Sequence, residues 1–174
     1  MDLESFIVAT PDFPEPGILF RDFTPLLMDA AALSAAIDGL AELVEPMRPD
    51  VILAPEARGF VFGPAIAKAV GAGFLPARKP GKLPPEILAH EYDLEYGSAE
   101  LQITPFEALA GARVVIHDDL LATGGTVDAL AQLAARAGAE VVGATFLIEL
   151  EALEGRARLS EHCPADTIHA LIRY

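Results

Sequence analysis

The residues Val114-Val115-Ile116-His117-Asp118-Asp119-Leu120-Leu121-Ala122-Thr123-Gly124-Gly125-Thr126 carry the types and spacing best suited to chemistry. Three apolar β-branched residues read as the end of a buried strand; two adjacent carboxylates follow, then a Thr-Gly-Gly-Thr turn and a helical pattern. A turn of this kind at a helix start suits an anion. Glycines let backbone N–H groups come close, threonine hydroxyls add donors, and the helix N-terminus supplies partial positive charge. Asp118 and Asp119 would repel a phosphate, but they would accept hydrogen bonds from hydroxyls or hold a cation just beyond it. A phosphate beside a diol describes a ribose 5-phosphate. An ordinary strand-to-helix turn, with aspartates as caps and glycines as bends, explains a bare Gly-Gly pair. It does not explain two acids and Thr-Gly-Gly-Thr together.

The charge balance points to a second anion site. The formal net charge is −14, which argues against a nucleic-acid surface, since that would need clustered basic residues. Within this acidic chain, three of the twelve Lys and Arg residues fall in Arg78-Lys79-Pro80-Gly81-Lys82. Arg58 stands in Pro55-Glu56-Ala57-Arg58-Gly59-Phe60, a second strand–loop–helix turn where a glycine again favours close approach by an anion.

These sites need a frame. Val51–Ala54, Gly73–Ala77, Val141–Ile148 and Ile168–Ile172 read as buried strands, near-continuously apolar as in a parallel sheet. Leu33, Ile37, Leu40 and Val44 recur at helical spacing over 30–45, and Val127, Leu130, Ala134 and Ala137 do so after the phosphate turn, with Gly138 as cap. Residues 153–160 form a short helix on this reading. Strands alternating with helices mean an α/β fold, a mainly parallel sheet flanked by helices, with ligand loops at the carboxyl ends of the strands. Residues 11–27 carry four prolines and no period, so an irregular arm is expected there. Prolines also predict an irregular segment from Arg78 to Glu91, followed by a hairpin of Tyr92–Gly97 and Ala99–Ile103. At 174 residues with 52% hydrophobic content, the chain suits one domain. A single cysteine, Cys163, excludes an internal disulfide and suits a reducing compartment. The acidic start Met1-Asp2-Leu3-Glu4 resembles no signal peptide, and no apolar run reaches membrane-spanning length, so a cytoplasmic protein is expected.

Several of these segments share one family resemblance. Asp-Asp-Leu-Leu-Ala-Thr-Gly-Gly-Thr resembles the phosphoribosyl-pyrophosphate (PRPP) motif of type I phosphoribosyltransferases, in the form of their adenine-specific members. Leu19-Phe20-Arg21, Glu-Ala-Arg-Gly-Phe at 56–60 and Tyr-Asp-Leu-Glu-Tyr-Gly at 92–97 resemble other segments of that family, in the family's order, from Phe13 to about Leu159. The resemblance implies a single domain over 1–174, with 1–28 forming a base-binding hood and 78–103 a flexible catalytic loop and hairpin. It places Ala122, Thr123, Gly124, Gly125 and Thr126 on the 5-phosphate, and Arg58, Arg78, Lys79 and Lys82 on pyrophosphate. Phe20 would stack adenine, Leu19 and Arg21 would offer main-chain contacts, and Leu150 would close the second face. Glu95, Asp118, Asp119 and Arg58 would be catalytic, Glu95 as acid/base or electrostatic partner of the purine. The implied activity joins adenine to PRPP, giving AMP and pyrophosphate in purine salvage. Magnesium would be held mainly by the substrate rather than by protein ligands, and the enzyme would be a homodimer. Other purine transferases, for xanthine or hypoxanthine-guanine, and a non-catalytic PRPP sensor are the alternatives. The Tyr-Asp-Leu-Glu-Tyr-Gly loop and the basic cluster argue against a sensor. His117 has no role on this reading.

Overall fold

The computed structural model describes residues 1–93 and 98–174. In chain order these form β1 (Val8–Pro11), β2 (Leu19–Asp22), α1 (Thr24–Met28), α2 (Ala30–Val44), β3 (Val51–Pro55), α3 (Gly63–Val70) and β4 (Gly73–Ala77). Then come β5 (Leu88–Asp93), β6 (Ser98–Ile103), β7 (Arg113–Leu121), α4 (Gly125–Arg136), β8 (Glu140–Glu149), α5 (Gly155–Leu159) and β9 (Ile168–Arg173). Five strands make one sheet in the order β4-β3-β7-β8-β9, every neighbouring pair parallel.

The apolar strands are apolar because both faces of this sheet are covered. On one face α2 and α3 bury Ile52, Val115, Leu147 and Ile172 with Phe62, Leu40 and Ile66. On the other, α4 brings Val127, Leu130 and Ala134 against Leu53, Val114, Ile116 and Phe146, and the β5–β6 hairpin adds Leu101 and Ile103. Asp29 starts α2 by accepting the N–H groups of Ala31 and Ala32, both at 2.9 Å. The fully buried stripe of α2 is Ala32, Ala36, Leu40 and Val44; Leu33 and Ile37 flank it at half-burial. Small alanines under the stripe let the helix sit close to the sheet. No helix among the described residues is long and apolar enough to cross a membrane.

Three sequence expectations are corrected. The proline-rich arm is not irregular throughout: β1 and β2 pair as an antiparallel ribbon from Val8↔Asp22 to Pro11↔Leu19, and α1 follows. The prolines sit where their missing N–H costs little, at a strand end (Pro11), in the connecting bend (Pro14, Pro16) and in the first turn of α1 (Pro25). The irregular stretch after Arg78 stops short of Glu91, because no proline lies between Pro85 and Glu91 and β5 pairs with β6 from Leu88↔Ile103 to Asp93↔Ser98. The turn of that hairpin, with Glu95, lies outside the described residues. Finally, β7 does not end at Ile116. It runs through both aspartates to Leu121, held by β8 through Leu120↔Ile148 and Leu121↔Glu149.

Candidate active site

Because every strand of the sheet runs the same way, the loops after β3, β4 and β7 and the end of β8 all leave from one edge. Ligands of open parallel sheets bind at this edge. The turn after β7 is short, Ala122 to Gly124, and Gly124 takes φ +81°. Among the described residues no side chain caps α4, and its first internal bond runs from the Asp128 N–H to the Gly124 carbonyl at 2.9 Å. The N–H groups of Gly125, Thr126 and Val127 therefore lack an intrahelical acceptor and face the opening of a twelve-residue helix. A Cβ on Gly124 would stand 2.9 Å from the Gly155 carbonyl, and one on Gly155 would overlap the Ala122 carbonyl. The two backbones are thus in direct contact, and α5 buttresses the turn. Asp128, in the first turn of α4, secures that buttress by bonding Arg158 at 3.2 Å and His162 at 2.6 Å.

Asp118 and Asp119 are both buried. The Asp119 N–H donates to Asp118 Oδ1 at 2.9 Å, and Arg58 Nε lies 3.3 Å from Asp119 Oδ2. Asp119 Oδ1 is buried with no hydrogen-bond partner among the described residues. Burial pushes the Asp118 carboxyl well above the ordinary carboxylate range, and the neighbouring charge of Asp119 adds to the shift. Burial raises Asp119 as well, with Arg58 pulling the other way. The pair therefore holds its negative charge at a cost that hydroxyl donors, or a positive centre, would relieve.

Arg58 reaches the pair because the loop after β3 lies flat on the strands. A Cβ on Gly59 would come within 2.5 Å of Pro55 Cδ and 3.2 Å of the His117 carbonyl. The Glu56–Ala57 peptide at the start of this loop is cis. Arg58 stays 56% exposed, so its guanidinium also faces solvent at the sheet edge. Arg78 is placed differently: Glu56 Oε2 accepts from both Arg78 Nε and the Lys79 N–H, each at 3.0 Å. Those bonds hold the Glu56 carboxyl below its usual range. Lys79 and Lys82 are exposed. Lys79 also borders a cavity of about 350 Å³ with Glu56, Tyr92 and Glu100.

The base-recognition candidates come together. A cavity of about 580 Å³ is walled on one side by Ile18, Leu19, Phe20, Arg21 and Phe23, and on the other by Leu120, Ile148, Leu150 and Leu153. Arg58, Asp119 and Ala122 stand at its edge, and Tyr174 completes the wall. The β1–β2 ribbon presents the first wall; Phe13 meets Phe20 edge to face at 5.2 Å, and Asp12 Oδ1 accepts the Gly17 N–H at 2.8 Å to brace the bend. Leu150 is fixed by its own N–H to the Leu121 carbonyl at 2.9 Å, and Glu149 beside it is held by Arg156. A depression of about 680 Å³ at the opposite edge of the sheet, between Glu45, Arg48 and Asp50, has no paired acids and no apolar walls of this kind.

His117 lies inside the sheet rather than in the site. Its Nδ1 is 3.0 Å from the Thr145 carbonyl, and its ring meets Phe62 edge to face. Burial pushes its pKa down to about 4, so it is a neutral core residue. Gly155 and Tyr174 had no signal in the sequence beyond their neighbours, and Glu56 entered only as the first residue of the 56–60 segment. Each acts through a contact made only in three dimensions.

An uncapped helix behind a Thr-Gly-Gly-Thr turn, two buried acids and an apolar slot at the carboxyl edge of a parallel sheet define a class. The model of the phosphoribosyl transferase domain matches residues 25–165, and the chain belongs to that family. Relatives carry a narrower name. An adenine phosphoribosyltransferase of Pseudothermotoga lettingae is 53% identical over 162 residues, covering 93% of this chain and 95% of its own. The crystal structure of adenine phosphoribosyltransferase from Thermoanaerobacter pseudethanolicus superposes with a TM-score of 0.92 at 48% identity, over 99% of this chain and 98% of that one. The enzyme from Giardia lamblia, solved in complex with 9-deazaadenine, superposes at 0.90 with 33% identity, over 99% and 96%.

Proposed function

We propose that this protein transfers the 5-phosphoribosyl group of PRPP to adenine, releasing AMP and pyrophosphate. The observation that carries the reading is the Asp118–Asp119 pair, buried beside an uncapped helix N-terminus and opening on an apolar slot. Whole-length relatives named adenine phosphoribosyltransferase, and a neighbour holding 9-deazaadenine, support the choice of base.

The 5-phosphate lies on the N–H groups and hydroxyls of Ala122 to Thr126, and the ribose hydroxyls donate to Asp118 and Asp119. As the C1–O bond to pyrophosphate breaks and the bond to the purine nitrogen forms, the ring gains oxocarbenium character, and the two carboxylates offset its charge. Arg58, Lys79 and Lys82 neutralise the departing pyrophosphate, with Arg78 drawn from Glu56 into the same cluster. Adenine lies between Phe20 and Leu150, with the backbone of Leu19 and Arg21 at its edge; residues 1–28 act as the hood. The proton lost from the purine passes to a neighbouring base, a role we give to Glu95 by resemblance. Magnesium would be held mainly by the substrate rather than by protein ligands, and would supply charge neutralisation for the departing pyrophosphate alongside Arg58, Lys79 and Lys82. The same reading makes the enzyme a cytoplasmic homodimer.

Incubation with PRPP, magnesium and one purine base at a time tests the proposal. AMP and equimolar pyrophosphate with adenine support it. Turnover only with an oxopurine, or with no base at all, overturns it.

A further inference from the structure

The base pocket has one wall to which the mechanism assigns nothing. Tyr174 follows β9 directly and lines the cavity. Its backbone is tied on both sides of Leu150: the Tyr174 N–H donates to the Glu149 carbonyl at 2.9 Å, and the Tyr174 carbonyl accepts the Glu151 N–H at 2.8 Å. Its ring lies against Arg21, whose guanidinium carbon is 3.6 Å from the ring centroid. Arg21 belongs to β2, whose only ladder partner among the described residues is β1, so the ribbon gains no ladder hydrogen bonds from the main sheet. A two-stranded ribbon is marginal by itself, and its place over the pocket depends on what it packs against. Among the described residues no carboxylate lies within ion-pair distance of Arg21. The tyrosine face is the cation's partner.

We propose that Tyr174 is a positioning residue that clamps the two walls of the base pocket together. Its backbone fixes Leu150 on the sheet side, and its ring holds Arg21 and the hood ribbon on the other. It thereby sets the affinity for the base without touching the ribosyl centre. This inference rests on the base-binding reading above.

The ring face and the apolar bulk can be separated. Tyr174→Leu keeps an apolar side chain and both backbone ties but removes the face; Tyr174→Phe keeps the face and nearly all the bulk. A cation–π contact of this kind corresponds to about a 3- to 30-fold change in affinity. Tyr174→Leu should raise KM for adenine by that factor, with kcat and KM for PRPP within about twofold of the parent. It should also speed amide hydrogen exchange at Phe20, Arg21 and Asp22, and Tyr174→Phe should restore both readouts. A Leu variant with parental adenine KM or parental exchange overturns the clamp. So does a Phe variant as impaired as Leu, or faster exchange spread over the whole sheet. If the parent protein makes no AMP, the functional reading fails by itself, and exchange alone decides: local acceleration with Phe rescue upholds the clamp, and unchanged exchange refutes it.

Discussion

Asp118→Asn should make the ligand-free protein more stable while disabling it. Asp118 is buried, and both burial and the adjacent Asp119 push its carboxyl well above the ordinary range. Asparagine copies the protonated acid: its oxygen can still accept the Asp119 N–H, now at 2.9 Å, and its amide can donate toward the Asp119 carboxylate. Removing a buried, unrelieved charge is worth about 1–2 kcal/mol. For a chain of this size that raises Tm by about 3–6 °C at pH 7 to 8. The pH dependence follows from the sign of the shift. A carboxyl whose folded pKa is raised contributes stability that is fully present below its unfolded value near 3.8 and lost as pH rises through the folded pKa. The gap between variant and parent should therefore open as the buffer is moved from pH 5 to 8, read by differential scanning calorimetry without ligand. Turnover should move the opposite way, with kcat/KM for PRPP down on the order of a hundredfold. A lower Tm at every pH, or a gap that closes with rising pH, would refute the idea that these acids store unfavourable charge for the substrate to relieve.

Other residues give further checks. Gly155→Ala forces a Cβ into the Ala122 carbonyl and to 3.0 Å from the Gly124 N–H nitrogen. It should cost about 1–3 kcal/mol by calorimetry and raise KM for PRPP severalfold, because it displaces the phosphate turn rather than the base pocket. Glu95→Ala should lower kcat more than it weakens PRPP binding measured by isothermal titration; an unchanged kcat would leave Glu95 structural. His117→Asn should flatten the acid limb of stability. The His117 pKa is pushed down from 6.5 to about 4 by burial, so its contribution is complete above pH 6.5 and lost as pH falls, on the order of 3 kcal/mol by pH 4. Urea midpoints of the parent and variant across pH 4.5 to 7 read that slope, which runs opposite to the Asp118 term.

The sheet was legible because its code is local. Val51–Pro55, Gly73–Ala77 and Glu140–Glu149 are apolar runs of strand length, and a two-sided parallel strand needs little else. The Thr-Gly-Gly-Thr turn and the helix start behind it were equally plain, since the glycines and the helix end lie within five residues of one another. What misled was partnership at a distance. β7 continues through Asp118 and Asp119 because β8 supplies a ladder as far as Glu149, and nothing in the acids themselves announces it. The proline-rich arm hides the β1–β2 ribbon because its prolines fall in the bend and at the ends. Glu56, Gly155 and Tyr174 gain meaning only by meeting Arg78, the Ala122 carbonyl and Arg21, each far away in sequence. Arg58 was expected beside pyrophosphate; the fold adds that it leans on Asp119.

The most direct test of adenine transfer is a competition in one tube. Adenine, hypoxanthine, guanine and xanthine at equal concentration share limiting PRPP with magnesium, and the nucleotides formed report the ratio of kcat/KM values. A site that reads the purine edge with backbone groups should favour AMP by about a hundredfold or more. Release of pyrophosphate should match AMP mole for mole. A mixture dominated by IMP, GMP or XMP, or pyrophosphate released without any nucleotide, would contradict it.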